Sequence, residues 1–223
     1  MHPKANPAQT IILLNLDGAE AVKKGDLGKS LHDSKANYVT IDLRATGSHA
    51  WPGDVIGRAP DHNTAQWSMW IGRPLLGQWT YDVLRLIDVL KEDKETGIGN
   101  LILSCQGPAG VVGLCAAAVD PENRMKAVGI TGMLSSYISD VPYVNQRAGV
   151  LAPGILRDVG DIPHLAALAT RTQVIIVEGV TPSNQPLTNE ELRTAFAVTS
   201  QLGKISGLDN LLLGVTTVNT KKQ

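Results

Sequence analysis

Residues 102–120, Ile-Leu-Ser-Cys-Gln-Gly-Pro-Ala-Gly followed by an Ala-rich run that closes at Asp120, carry the densest chemical signal in the sequence. An apolar strand that enters a tight turn of small residues and leaves as a helix is the layout of a nucleophile elbow, where a side chain at the tip attacks a carbonyl carbon. Cys105 is one candidate for that role. A thiol attacks only as thiolate and needs a base or a positive neighbour, and His62 or His49, on the adjoining long connection, could supply it. Glu178, at the end of a later apolar run, has the place of an acid that orients a base; its plainer role is a strand-end carboxylate bonded to nearby loops. The turn is no phosphate loop, because it lacks both Gly-x-Gly-x-x-Gly and a Lys-Ser/Thr pair.

A second signal is aromatic. Trp51, Trp67, Trp70 and Trp79 all fall within one 29-residue stretch that also holds His62. Flat rings flanked by Arg, Asn, Gln and His donors suit sugars, whose C–H faces stack while their hydroxyls hydrogen-bond. Trp67, Trp70 and Arg73, with Arg44, Asp17, Gly18 and Gln106 at neighbouring strand ends, are the candidate ligand-binding residues. Trp79 sits on a helical apolar stripe and reads as core. Arg44 and Arg73 could instead pair with Asp61 or Asp82, ordering the connection without a ligand.

The elements that must position these groups follow from hydrophobic period. Short apolar runs at 11–16, 38–43, 100–104, 125–130, 173–178 and 211–218 read as buried strands. Leu76, Trp79, Val83, Leu86, Ile87 and Leu90 mark one helix face, and Leu192, Ala195, Phe196, Thr199 and Leu202 another. Thr188 and Glu191 form a capping box for this last helix, and Gly203 is expected to end it. Strand and helix alternate, which predicts a three-layer α/β domain over 1–223, a mostly parallel sheet with helices on both faces. Two excursions, 44–74 and 134–163, exceed ordinary loops. They begin at strand ends, where open α/β sheets bind ligands, and are expected to roof a pocket.

Composition narrows the partners. Twenty basic against twenty-one acidic side chains leave no excess positive charge for nucleic acid or an anionic membrane, and no apolar run approaches the length that spans a bilayer. The amino terminus shows no secretory pattern, so the chain is expected to be cytoplasmic or a mature part of a larger exported protein. Two cysteines ten residues apart, Cys105 on a strand and Cys115 in a helix, suit neither a disulfide nor zinc, and no metal site is expected.

The phrases Leu14-Asn-Leu-Asp-Gly18, Asp42-Leu-Arg-Ala-Thr-Gly47, Ala116-Ala-Ala-Val-Asp120 and Leu165-Ala-Ala-Leu168, each beside an expected strand, resemble the α/β-hydrolase fold. More closely, they resemble acetylxylan-esterase-type carbohydrate esterases. The resemblance implies a carboxylic ester hydrolase without cofactor, with a serine thirteen positions before the Asp that closes the Ala-rich helix. Counting back from Asp120 places that serine at Gly107, and the following oxyanion donor at Pro108, which has no N–H. No His follows His164, although the family's base comes after the last strand. The resemblance therefore implies a degenerate esterase domain that binds a carbohydrate or small ester, or supports an active esterase module or a second copy. A register shifted by two, as in the dienelactone-hydrolase branch, makes Cys105 the nucleophile with Gln106 as amide donor, served by His62 and Glu178.

Overall fold

The computed structural model describes residues 9–33, 37–57, 59–92 and 98–214. Six strands, β1 (Gln9–Asn15), β2 (Tyr38–Thr40), β5 (Asn100–Gln106), β6 (Met125–Thr131), β7 (Gln173–Val177) and β8 (Leu211–Gly214), form one sheet in the order β2-β1-β5-β6-β7-β8. Every pairing in it is parallel. Between β2 and β5 a short antiparallel hairpin, β3 (Val55–Ile56) and β4 (Ala59–Pro60), projects from the first excursion.

Alternation along β1 divides the two faces. Ile12 and Leu14 join a large apolar cluster with α4 (Leu75–Glu92), α5 (Ala109–Val119) and α7 (Ile162–Ala169). Leu13 points the other way, to Val22 of α1 (Ala19–Lys24) and Tyr38, with Leu31 of α2 (Asp26–Asp33) against them. Helices thus cover both faces, as the strand–helix alternation requires. On β5 the odd positions Leu101, Leu103 and Cys105 are buried under α5, while Ile102, Ser104 and Gln106 on the other face are half-buried.

Several expected boundaries shift for physical reasons. β2 ends at Thr40 rather than 43, and the Asp42 carboxylate instead accepts hydrogen bonds from Ala19 N–H and from Ser48. The helix expected from Thr188 to Gly203 is two helices, α8 (Asn189–Ala195) and α9 (Ala197–Ser206), which meet at Phe196. Phe196 leaves helical geometry (ψ 17°) and is fully buried, and Thr199 Oγ1 donates to the Pro163 carbonyl beyond the break. Gly203 is an interior position of α9, and the left-handed Gly207 ends that helix. The Thr188–Glu191 capping box is present as expected. The first excursion is no plain loop, since it contains α3 (His62–Trp70). The final run, expected to extend to 218, is a strand to Gly214, and its remainder lies outside the described residues. No helix among the described residues is long and apolar enough to cross a membrane.

Candidate functional site

The carboxyl ends of the central strands form a flush shelf. Asn15, Gln106, Thr131 and Val177 close β1, β5, β6 and β7, and each pairs in register with the next. Just past the shelf, Gly107, Gly132 and Glu178 are all left-handed, with φ of 56°, 72° and 54°. Their N–H groups donate to Thr131, Val177 and Gly214 carbonyls at 2.8, 3.1 and 3.3 Å. Such a bend turns each strand out of the sheet at once, and for the non-glycine Glu178 it costs about 1–2 kcal/mol.

Gly107 is the tip of the bend between β5 and α5. A Cβ built on it meets nothing within 4 Å. The register that places Gly107 at the elbow is therefore the one the chain adopts, with space for a side chain and none present. Its successor Pro108 begins the helix with no N–H to give. On the adjoining β1 loop, Asp17 N–H is bonded to Asn15 Oδ1 at 2.8 Å and Gly18 N–H to the Asn15 carbonyl at 3.0 Å. The bend thus offers no N–H at Pro108, and these two amides of the β1 loop are bonded within the loop.

Cys105, the nucleophile of the shifted register, has a different setting. It lies inside β5, two residues before the bend, with its Sγ against α5, where a Cβ added to Gly113 would come within 2.5 Å. It is buried, and burial pushes the thiol far above its ordinary pKa, the reverse of what a nucleophile needs. His62 opens α3, with its Nδ1 buried and making no hydrogen bond. Cys105, His62 and Glu178 share no hydrogen bond or ion pair among the described residues, so the structure does not join them as a relay. Among those residues no group of three or more His, Cys, Asp or Glu side chains could hold a metal ion.

The two excursions do meet over the shelf, through a residue that no motif or period singles out. Arg147, from the second excursion, donates through one guanidinium nitrogen to Asp61 in the first and through the other to Asp17 after β1. Asp61 is itself left-handed (φ 64°) and buried, with Oδ2 unpartnered. Burial pushes its carboxyl above the usual range, opposed by the Arg147 guanidinium. Trp51, Asp54, Asp61 and Arg147 bound a cavity of about 140 Å³ here. Asp54 accepts from the N–H groups of Asn63 and Thr64 at 2.6 and 3.0 Å and so holds the first turn of α3.

The other candidate ligand residues divide cleanly. Arg44 is taken by Asp82 and Gln78 of α4, one of the pairings open to it from the sequence. Gly18 packs on the segment Asp42–Gly47, where a Cβ would fall 2.3 Å from Gly47 Cα, so its glycine is needed for close approach. Gln106 is held at the shelf by Asn15 Nδ2, 3.2 Å from its Oε1. Trp79 is core, its Nε1 donating to the Arg44 carbonyl at 2.8 Å. Trp51, Trp67 and Trp70 are 71, 55 and 72% exposed, and Arg73, three residues after Trp70, is exposed with no side-chain partner among the described residues.

No protein-family model matches this sequence, and no curated protein matches it. Solved structures do match in shape. A carbohydrate esterase family 15 glucuronoyl esterase from Caldicellulosiruptor kristjansonii superposes with a TM-score of 0.59 at 15% identity, over 95% of this chain and 63% of that one. A family 15 glucuronoyl esterase from Teredinibacter turnerae gives 0.56 at 12% identity, over 96 and 63%. A putative dienelactone hydrolase from Klebsiella pneumoniae gives 0.54 at 13% identity, over 96 and 74%. The chain spans less than two thirds of the length of the two glucuronoyl esterases. At these identities the likeness shows the fold, which is the α/β-hydrolase fold.

Proposed function

We propose that this chain is an esterase-fold domain that performs no hydrolysis and binds carbohydrate through its aromatic excursion. The observation that carries this reading is the bend after β5, where Gly107 holds the left-handed elbow conformation without a side chain and Pro108 follows without an N–H. Even an imidazole brought from another polypeptide would find nothing at Gly107 to activate. Loss of a single oxyanion donor alone costs a working enzyme about 10²–10³ in rate. Trp67 and Trp70 are largely exposed at the end of α3, and the exposed Arg73 follows three residues after Trp70 without a side-chain partner among the described residues. Exposed rings beside polar groups support stacking on sugars.

The purified chain, treated with a fluorophosphonate probe and with p-nitrophenyl acetate, is expected to take no label and to release nitrophenol at the buffer rate. Turnover that follows the folded protein through purification would overturn the non-hydrolytic reading. Xylo-oligosaccharides are expected to perturb tryptophan emission, and to perturb it less in Trp67→Ala and Trp70→Ala. Unchanged emission and no calorimetric heat at millimolar sugar would remove the carbohydrate.

A further inference from the structure

A concavity lies at the opposite end of the sheet, where β5, β6 and β7 begin. Its volume is about 700 Å³, within the range of small-molecule sites. Of the twelve described residues that line it, four are cationic (Lys91, Arg124, Lys126 and Arg171), four are Asn or Gln, and none of the twelve is acidic. In a chain with nearly equal numbers of both charges, that segregation is a local feature and not a reflection of composition. We infer that this cavity binds a small polyanion, a molecule carrying two or more phosphate or carboxylate groups.

The four cations are not equivalent. Arg124 is buried and fixed between Asp120 and Asp88, and Asp88 also takes Arg85, so this cluster is neutral within itself and acts as the floor. Lys91, in the last turn of α4, Lys126, on β6, and Arg171, in the turn before β7, are exposed, and none pairs with a carboxylate among the described residues. The carboxyl ends of α4, α5 and α7 also reach this edge. Each carries a partial negative charge of about half a unit, which three full cations exceed. The amides are partly fixed too: Asn210 Nδ2 donates to Thr170 O at 2.9 Å, and Asn123 Nδ2 to Arg171 O at 3.3 Å. Fixed amides between unneutralised cations supply both charge and direction to anionic oxygens. A single small concavity on a near-neutral chain favours a compact ligand over a polymer backbone, which needs an extended basic track.

Calorimetry on the full chain tests this with tripolyphosphate and, in a second arm, trigalacturonate, at low and at physiological salt. We expect saturable one-to-one binding tighter than about 1 mM for at least one of them, weakened by salt. Whichever binds better assigns phosphate or carboxylate as the anionic group. Lys126→Glu with Arg171→Glu should weaken binding at least about tenfold, whereas Lys29→Glu with Lys204→Glu, the same charge change elsewhere, should alter it about twofold or less. The inference is overturned if neither ligand saturates, if the Lys126 and Arg171 reversals leave affinity unchanged, or if only long polymers such as heparin bind. None of these outcomes bears on the bend at Gly107.

Discussion

Arg147 and Asp61 form an ion pair that joins the two excursions, and Arg147 could not leave without stranding Asp61. Asp61 is 6% exposed and the Arg147 side chain 11%, so the pair is shielded from solvent. Removing one member of such a pair costs about 3–5 kcal/mol, because an uncompensated charge stays behind. Arg147→Ala is therefore expected to lower stability in urea by about that amount. Asp61→Asn added to Arg147→Ala should recover part of the loss, by removing the stranded carboxylate. Arg147→Lys should not substitute, since one ammonium lacks the planar fork that serves Asp61 and Asp17 together.

Acid should act on this region through carboxylates of opposite sign. Burial alone would raise Asp42 and Asp54, but hydrogen bonds from Ser48 and Ala19 to the first, and from Thr64 and Asn63 to the second, hold both below the usual range. Their contribution is present above the unfolded-state value of about 3.9 and disappears as pH falls through the lower folded values. Asp61 is raised, so it penalises the fold above its folded pKa and ceases to do so as pH falls below the unfolded value. Urea midpoints between neutral pH and about pH 3 should fall less steeply in Asp54→Asn than in the parent, and more steeply in Asp61→Asn.

Two glycines three residues apart should answer substitution differently. Gly107→Ala places a methyl in open space and bears only the left-handed penalty, about 1–2 kcal/mol. Gly110→Ala drives a Cβ to 2.5 Å from Ile130 Cγ2 and 2.8 Å from Met133, overpacking that costs about 1–3 kcal/mol or more even though Ala favours a helix. Equilibrium unfolding of both variants should rank Gly110→Ala as the less stable.

Both thiols should be silent in the native state. Burial pushes Cys105 upward and Cys115 up to about 12. A chromogenic disulfide at pH 8 is expected to release about no thiolate from folded protein and about two equivalents in guanidinium chloride. Rapid native reaction at Cys105 would restore the cysteine mechanism.

Much of the frame was legible in the sequence because buried parallel strands announce themselves as short apolar runs, and all six such runs hold a strand of the sheet. The bend was legible as well, since Asp120 fixes a register that puts Gly107 at the tip. α3 was not legible: Trp67 and Trp70 face solvent on it, so no apolar stripe marks 62–70 as helical. The break at Phe196 also escaped, because Leu192, Phe196 and Thr199 are all buried and keep the spacing of one face across the interruption. Arg147 lies in a stretch without period, and its importance comes from two carboxylates 86 and 130 residues away. Long-range pairing of that kind leaves no local trace.

The empty bend after β5 gives the domain a chemically addressable point. With Cys105 buried and Cys115 half-buried, both thiols held in their protonated form by burial, Gly107→Cys would create the thiol that a maleimide dye reaches first, on a backbone already shaped to present a side chain outward. A fluorophore tethered there would sit at the sheet's carboxyl shelf and report by its colour and anisotropy whatever settles between the two excursions, so a bare turn becomes a place from which to watch ligands arrive.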